Sequence, residues 1–503
     1  MDLATLGYAA APLLATLGLM LVAGWSAGRA AAAGLALALA VAVFVFDFGA
    51  GDTPGLAAGL GTVGHEALLA SASILWILWP ALALHHHQER AGAITALQAA
   101  LTALSPRPGL QVLMLGWFLA LFLEGAAGFG TPAAIVAPLL VALGVPALQA
   151  VVIALLGHAA GVVFGALGTP LAAQVAMTGL PAADLAWRTA LLNAGAAAAL
   201  MLALARTAGL VGSGGGPARV AGAAAAAEAS RAIPAGWIVL GLLAFLLPNL
   251  ALAFGVGPAL PTLGGAAVGL FVFAVVLHRR REARSDADAG GGIDPRGLAK
   301  ALAPYLILIG LVLASRALPG LAESLKHPGT LLLAALILGC WVQGRPLASL
   351  LPAAQASGRR LLPVALALLA MLALSRLMLH AGMVDALQAG AVALVGPAWP
   401  WLAPAMGALG SFVTGSATAS NLLFSALQLQ TAQELGLPAA WMLAGQAVGA
   451  AIGNIICPHN VVAAAAAVGL AGREAEILRR TLLPCLAVLL LTGAALALGL
   501  ALG

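Results

Sequence analysis

Leu123-Glu124-Gly125-Ala126-Ala127-Gly128-Phe129-Gly130-Thr131-Pro132 interrupts an otherwise apolar run. Glycines at 125, 128 and 130 and a proline at 132 break a helix here. At membrane depth such a break is tolerated only where it lines a cavity or lies buried in protein. The break also exposes backbone N–H groups at a new helix start, and these, with the helix dipole, form a site for an anion. Pro132 suits the first turn of that new helix, where its missing N–H costs nothing.

The chain repeats this arrangement. Thr414-Gly415-Ser416-Ala417-Thr418-Ala419-Ser420-Asn421 matches the break, with Gly415-Ser416-Ala417 against Gly125-Ala126-Ala127. The 157–170 segment is echoed by 445–458, Ala96-Leu97-Gln98-Ala99 by Ala386-Leu387-Gln388-Ala389, and Arg188-Thr189 by Arg480-Thr481. All four blocks keep an offset of 288–292 residues. Two distant halves with broken segments in matching places point to a secondary transporter whose site lies where the breaks meet.

Composition agrees. The 503 residues are 62% hydrophobic and 8% charged, against about 25% charged in soluble domains. Apolar runs near the spanning length of about 20 residues recur from end to end. The fold class expected is an all-α polytopic membrane protein of about 11–14 membrane helices, with two inverted-topology repeats containing broken helices or re-entrant hairpins. The first apolar stretch reads as a retained helix, not a signal peptide. Cys340, Cys457 and Cys485 lack paired spacing and read as reduced thiols; no metal and no cofactor is expected. The net charge of +5 sits in loops and indicates no nucleic-acid partner.

Loop charge gives the orientation. Arg29, Arg90, Arg107, Arg206, Arg279, Arg280, Arg345, Arg359, Arg360 and Arg473 mark the cytoplasmic side. Asp47, Glu66 and Glu323 lie opposite, and no Lys or Arg occurs between Arg376 and Arg473. Segment 93–107 is therefore inside and its counterpart 383–397 outside, which makes the repeat inverted. The division expected is N-terminal scaffold helices over 1–65 and repeat one over 66–208, with a hairpin near 124–132. Cytoplasmic loops and scaffold helices follow over 209–360, then repeat two over 361–503, with a hairpin near 414–421. The 212–216 and 286–292 stretches read as flexible loops.

Candidate substrate-binding residues are Gly125, Ala126, Gly128, Gly130 and Thr131 in the first break, and Ser416, Thr418, Ser420 and Asn421 in the second. Gln446 (the repeat mate of His158), Asn454 and Arg376 complete the set. Hydroxyls and amides donate to a carboxylate, although a lone intramembrane Ser or Thr more often bonds back to its own helix. Arg376 has a plain reading too, snorkelling to the interface. A carboxylate at membrane depth costs roughly 2.5–3.5 kcal/mol, so Glu124 calls for a proton or a polar partner. Glu124, His158 and His459 are the candidate proton-coupling groups. His85-His86-His87 reads as a solvated loop at a helix end. The rival class is an intramembrane hydrolase using Ser416 with His459, which would leave the duplication unexplained. No Gly-x4-Gly-Lys-Ser/Thr motif supports ATP-driven transport.

At these residues the chain resembles the L-lactate permease family. The 123–132 stretch resembles that family's first signature almost letter for letter; Phe164-Gly165-Ala166-Leu167-Gly168-Thr169-Pro170, the 410–428 run and the 453–472 block are similar to further ones. The resemblance implies proton symport of L-lactate, or of D-lactate or glycolate, by alternating access, through a multi-pass protein of the bacterial inner membrane that is not an enzyme. Its partners would be a small organic anion, protons and lipid, and a homo-oligomer is compatible with it. It also implies kinship with a superfamily of paired inverted repeats, with 125–131 and 416–421 as hairpin tips facing the substrate. Another organic acid, or cation/proton antiport, is the alternative. The chain departs from the family at Ala417, where the best-known members carry Asp. It departs again near Asn454, where they carry Lys, and at His459-Asn460, where they carry Gln-Ser. These changes shift the expected proton group toward Glu124 or a histidine.

Overall fold

In lipid every backbone polar group must be satisfied within its own segment, so apolar runs of this length fold as helices. A computed structural model of the chain describes residues 3–23, 25–50, 55–128, 130–210, 232–282, 295–318, 322–471 and 473–502. All regular structure among the described residues is helical. The loops at 212–216 and 286–292, and Phe129, lie outside them. Two helices open the chain, α1 (Leu3–Leu21) and α2 (Ala27–Phe44). Then come α3 (Leu56–Arg90), α4 (Ala93–Ala103), α5 (Pro108–Ala126), α6 (Thr131–Ala142), α7 (Ala147–Ala159), α8 (Gly165–Thr178) and α9 (Ala182–Thr207). The middle holds α10 (Ala235–Gly255), α11 (Pro261–Glu282), α12 (Pro295–Ala317) and α13 (Pro328–Val342). The last seven are α14 (Leu351–His380), α15 (Met383–Leu394), α16 (Trp399–Thr414), α17 (Ala417–Glu434), α18 (Ala439–Gly453), α19 (Pro458–Ala467) and α20 (Glu474–Leu502).

The α3–α9 and α14–α20 series have the same grammar. Each runs from a long helix to a short amphipathic one, then a helical hairpin, a broken span and a long closing helix. Their contacts are reciprocal. The second limb of each hairpin meets the second part of the other half's broken span, α6 with α19 and α17 with α8. Likewise α9 packs on α18 and α20 on α7, while α3 packs on α14 and α9 on α20. A two-fold relation requires such pairing, in which each element meets its partner's counterpart.

Nine helices among the described residues are long and apolar enough to cross a membrane, or eleven if each of two bent pairs counts as one span. One bent pair is α7 with the 162–178 segment, turned by 54°. The other is α15 with the 396–414 segment, turned by 100°, so that α15 lies across the start of the second hairpin. The middle segment divides by its contacts: α10 and α11 pack on α9 and α5, whereas α12 and α13 pack on α4 and α3.

His85-His86-His87 is not a solvated loop. Helix α3 continues to Arg90, and α13 and α14 pack on it. His85 and His87 are buried. His86 Nδ1 lies 2.8 Å from Ser357 Oγ and His87 Nε2 lies 2.9 Å from Gln343 Oε1. A 35-residue helix outruns the hydrocarbon thickness, so its last turns take polar partners from neighbouring helices. Among the described residues no group of His, Cys, Asp and Glu side chains could hold a metal ion.

Candidate functional site

The two hairpins turn by different means. Helix α5 carries a π-helical segment over Met114–Leu119 and ends at Ala126. Gly128 and Gly130 then take left-handed backbone, with φ of 62° and 70°, and α6 starts. In the second hairpin Gly415, φ 77°, ends α16, and Ser416 caps α17 by accepting from the Ala419 N–H at 3.4 Å. The broken span of the first half turns through a left-handed run at Ala166, Leu167 and Gly168. Two of these are not glycine, and each such residue costs roughly 1–3 kcal/mol that the surrounding packing must offset. Helical geometry resumes at Thr169.

These breaks meet around a small cavity of about 30 Å³. The α3–α9 series supplies Glu124, Gly128, Gly165, Ala166 and Thr169; the α14–α20 series supplies Ser416, Thr418 and Asn454. The space suits a water, for which about 10–15 Å³ is enough, but not a three-carbon acid. Glu124 is buried and its Oε2 has no hydrogen-bond partner. Gly165 brings its backbone against that carboxyl, since an added Cβ would lie 2.3 Å from Oε1. The helical turns that begin at Thr169 and at Ala417 both border the cavity, so two positive helix ends lie at the space that holds this buried carboxyl.

Of the candidate residues, Glu124, Gly128, Ser416, Thr418 and Asn454 line the cavity. The other predicted residues stand around it. Gly125 abuts the backbone of Leu263, where an added Cβ would lie 2.4 Å from the nitrogen, and Ala126 is buried beside it. Gly130 packs on Asn460, and Asn460 Nδ2 donates to Asn454 Oδ1. Thr131 opens α6, and its side chain lies outside what is described. His459 is exposed in a separate, wide cleft beside Gly415. His158 is buried, with Nδ1 2.9 Å from the Ala154 carbonyl one turn back in α7.

Arg376 does not line the cavity. Its Nε lies 3.4 Å from Glu66 Oε2, an ion pair without hydrogen-bond geometry, and its Nη2 donates to the Ala176 carbonyl of α8. His380 lies 3.1 Å from the same Glu66 oxygen. The guanidinium thus ties α14 to α3 and α8.

Ser420, Asn421 and Gln446 hold the frame. Trp399 Nε1 donates to Gln428 Oε1 at 2.9 Å, Gln428 Nε2 to Gln446 Oε1 at 3.1 Å, Gln446 Nε2 to Ser420 Oγ at 3.2 Å, and Ser420 Oγ to the Gly407 carbonyl at 2.8 Å. This chain joins α16, α17 and α18. Asn421 Nδ2 crosses to the Pro170 carbonyl at 2.9 Å, and Gln174 Nε2 crosses back to the Leu443 carbonyl at 2.9 Å. Gln446→Leu takes the nearest acceptor from the buried Gln428 amide, leaving it the Ala403 carbonyl at 3.5 Å and Met406 Sδ at 4.0 Å, so it destabilises by about 1 kcal/mol and lowers the melting midpoint in detergent. An unchanged midpoint would show that the chain carries no stability.

Thr169, Gly165 and Ala166 were absent from the predicted set. A signal existed, because Thr169-Pro170 stands 288 residues before Cys457-Pro458 at the matching break. The role of the connection between α10 and α11 left no signal. Its Pro258 carbonyl sits where a Cβ on Gly168 would come within 2.3 Å. Thr262 Oγ1 donates to the Gly161 carbonyl at 2.7 Å. With Leu263 of the first turn of α11 against Gly125, this region covers the first half's break.

Known proteins match this architecture. The sequence model of a family described as L-lactate permease matches residues 7–326 and 321–502. An L-lactate permease of Streptococcus iniae is 27% identical over 78% of this chain and 83% of its own. A glycolate permease of Escherichia coli K12 is 26% identical over 81% of each. Among solved structures, the YdaH transporter of Alcanivorax borkumensis superposes with a TM-score of 0.56 at 15% identity, over 95% of this chain and 99% of that one, a likeness of fold alone. Its length of match, its broken hairpins and its multi-pass helices agree, and the chain belongs to the L-lactate permease family.

Proposed function

We propose that the protein is a secondary active transporter that imports a small 2-hydroxy monocarboxylate, L-lactate first, by proton symport across the bacterial inner membrane. The observation that carries this reading is the cavity where the two halves meet. One carboxyl, Glu124, is buried there with a free oxygen, among groups able to donate: the hydroxyls of Ser416 and Thr418 and the amide of Asn454. The Thr169 hydroxyl beside them donates to the Ala166 carbonyl at 2.5 Å. An anionic substrate and an ionised Glu124 would repel, whereas a protonated Glu124 donates to the substrate and removes the repulsion. Substrate and proton therefore favour each other in the site. The names of the relatives, lactate and glycolate permeases, support the substrate class.

The matched helix series supports repeats over 66–208 and 361–503, and the loop charges support their opposite orientation. Alternating access follows if the cavity widens toward one face at a time. A hydrolase is disfavoured: Ser416 Oγ caps α17, and no hydrogen bond joins it to His459 among the described residues. Labelled L-lactate should accumulate in proteoliposomes under an inward proton gradient. The accumulation should collapse with a protonophore and fall with excess glycolate. Uptake indifferent to the gradient would overturn symport, and absence of uptake by folded protein would overturn the substrate.

A further inference from the structure

A wide cleft of about 1470 Å³ opens between α2, α3 and α14 on one side and the second hairpin tip with the start of α19 on the other. Gly415, Ser416 and Thr418 line both this cleft and the small cavity, so the second tip is their common wall. Most of the lining is apolar. Its only charged side chains are Arg29 and Arg360, both exposed, and no acidic residue borders it among the described residues. Neither arginine forms an ion pair among the described residues, whereas Arg188, Arg376 and Arg473 do. Arg29 and Arg360 both belong to the cytoplasmic set of charges.

We propose that this cleft is the water-filled path of the anion on the cytoplasmic side, and that Arg29 and Arg360 make it selective for anions. Guanidinium groups without a carboxylate partner need water or an anion beside them. Two like charges on a low-dielectric wall focus a positive potential into the space they border. The first half's break is covered by the α10–α11 connection, which leaves the second tip as the wall facing an open space. Lactate as the anion concerned rests on the function proposed above; the sign of the selectivity does not.

The test is thiol labelling of Ala32→Cys in inside-out vesicles. Ala32 is exposed and lines the cleft; the native cysteines are buried, but Cys457 lines the same cleft, so every labelled protein also carries Cys457→Ser. Membrane-impermeant anionic and cationic methanethiosulfonates are compared, each rate divided by its rate with a free thiol. The anionic reagent should react faster, and the ratio should fall about tenfold in R29Q/R360Q and return in R29K/R360K. Should R29Q/R360Q fail to fold, high salt applied to the Ala32→Cys protein with both arginines intact should collapse the same ratio. Absence of reaction with either reagent would mean a lipid-filled groove and overturn the proposal. So would a ratio unmoved by charge removal or salt. In transport, R29Q/R360Q should raise the cytoplasmic half-saturation for lactate efflux several-fold at low ionic strength, leaving the external value unchanged. If the unmodified protein moves no lactate, the proposed substrate fails, and the labelling ratio still decides the path.

Discussion

Glu124→Gln should bring gradient-driven lactate accumulation down to the equilibrium level while lactate–lactate exchange continues. Each pH unit across the membrane is worth about 1.4 kcal/mol for one coupled proton, so a one-unit gradient can hold about a tenfold accumulation. Gln keeps the length of Glu and a donor in the cavity, but it carries no exchangeable charge. It therefore resembles the protonated carboxyl, the state that tolerates the anion. Binding survives and coupling is lost, so the accumulation ratio falls from about ten to about one. Exchange needs no net proton movement and should persist within a few-fold of the unmutated rate. Tenfold accumulation retained in the variant would move coupling to His158 or His459. Loss of exchange as well would make Glu124 a binding or structural group. Neither histidine lines the cavity, and His459 lies in the cleft.

What the sequence carries about this site depends on the kind of signal each residue leaves. Glu124 and the 414–421 cluster are legible because polar groups in an apolar run are costly and stand out. The cavity collects Glu124, Ser416, Thr418 and Asn454 from that reading. Ser420, Gln446 and Asn421 stand out for the same reason, yet they serve the frame. Cost at membrane depth reveals that a polar group has a partner and leaves open whether the partner is a ligand or a neighbouring helix. Arg376 illustrates the same ambiguity: its charge is answered by Glu66, which lies more than three hundred residues earlier in sequence. His85-His86-His87 misled because a polar triplet at an apolar run's end resembles a loop until α13 and α14 close over it. Gly165 and Ala166 were hidden because their contribution is backbone position, and a small residue in this Ala- and Gly-rich chain carries little contrast. The covering stretch at 258–263 carries its role in the Pro258 carbonyl, the Thr262 hydroxyl and the Leu263 backbone, and composition does not encode that.

Gly449→Val should abolish stable folding. Helices α16 and α18 touch backbone to backbone through three glycines. An added Cβ at Gly449 would lie 1.9 Å from the Pro404 carbonyl oxygen, at Gly453 2.4 Å from that of Ala408, and at Gly407 2.1 Å from that of Gln446. In an exposed helix, replacing Gly gains up to about 1 kcal/mol from reduced chain entropy. Here the obstacle is main chain, which has no rotamer with which to yield, so overpacking of about 3 kcal/mol or more outweighs that gain. Small residues permit such close approach between membrane helices, where packing and not the hydrophobic effect holds helices together. Against a typical total stability of about 5–15 kcal/mol, a loss of this size removes a large share. Gly18→Ala is the control, because nothing lies within 4 Å of a Cβ placed there. The control should keep its melting midpoint and its monodisperse elution in detergent, and Gly449→Val should lose both. A folded Gly449→Val protein with the unmutated midpoint would mean that α16 and α18 do not approach as described. The consequence reaches the site, because this contact fixes where α16 delivers Gly415 and where α18 delivers Asn454. A gap opened between the two helices would separate the second hairpin tip from Asn454, which lines the same cavity as Glu124.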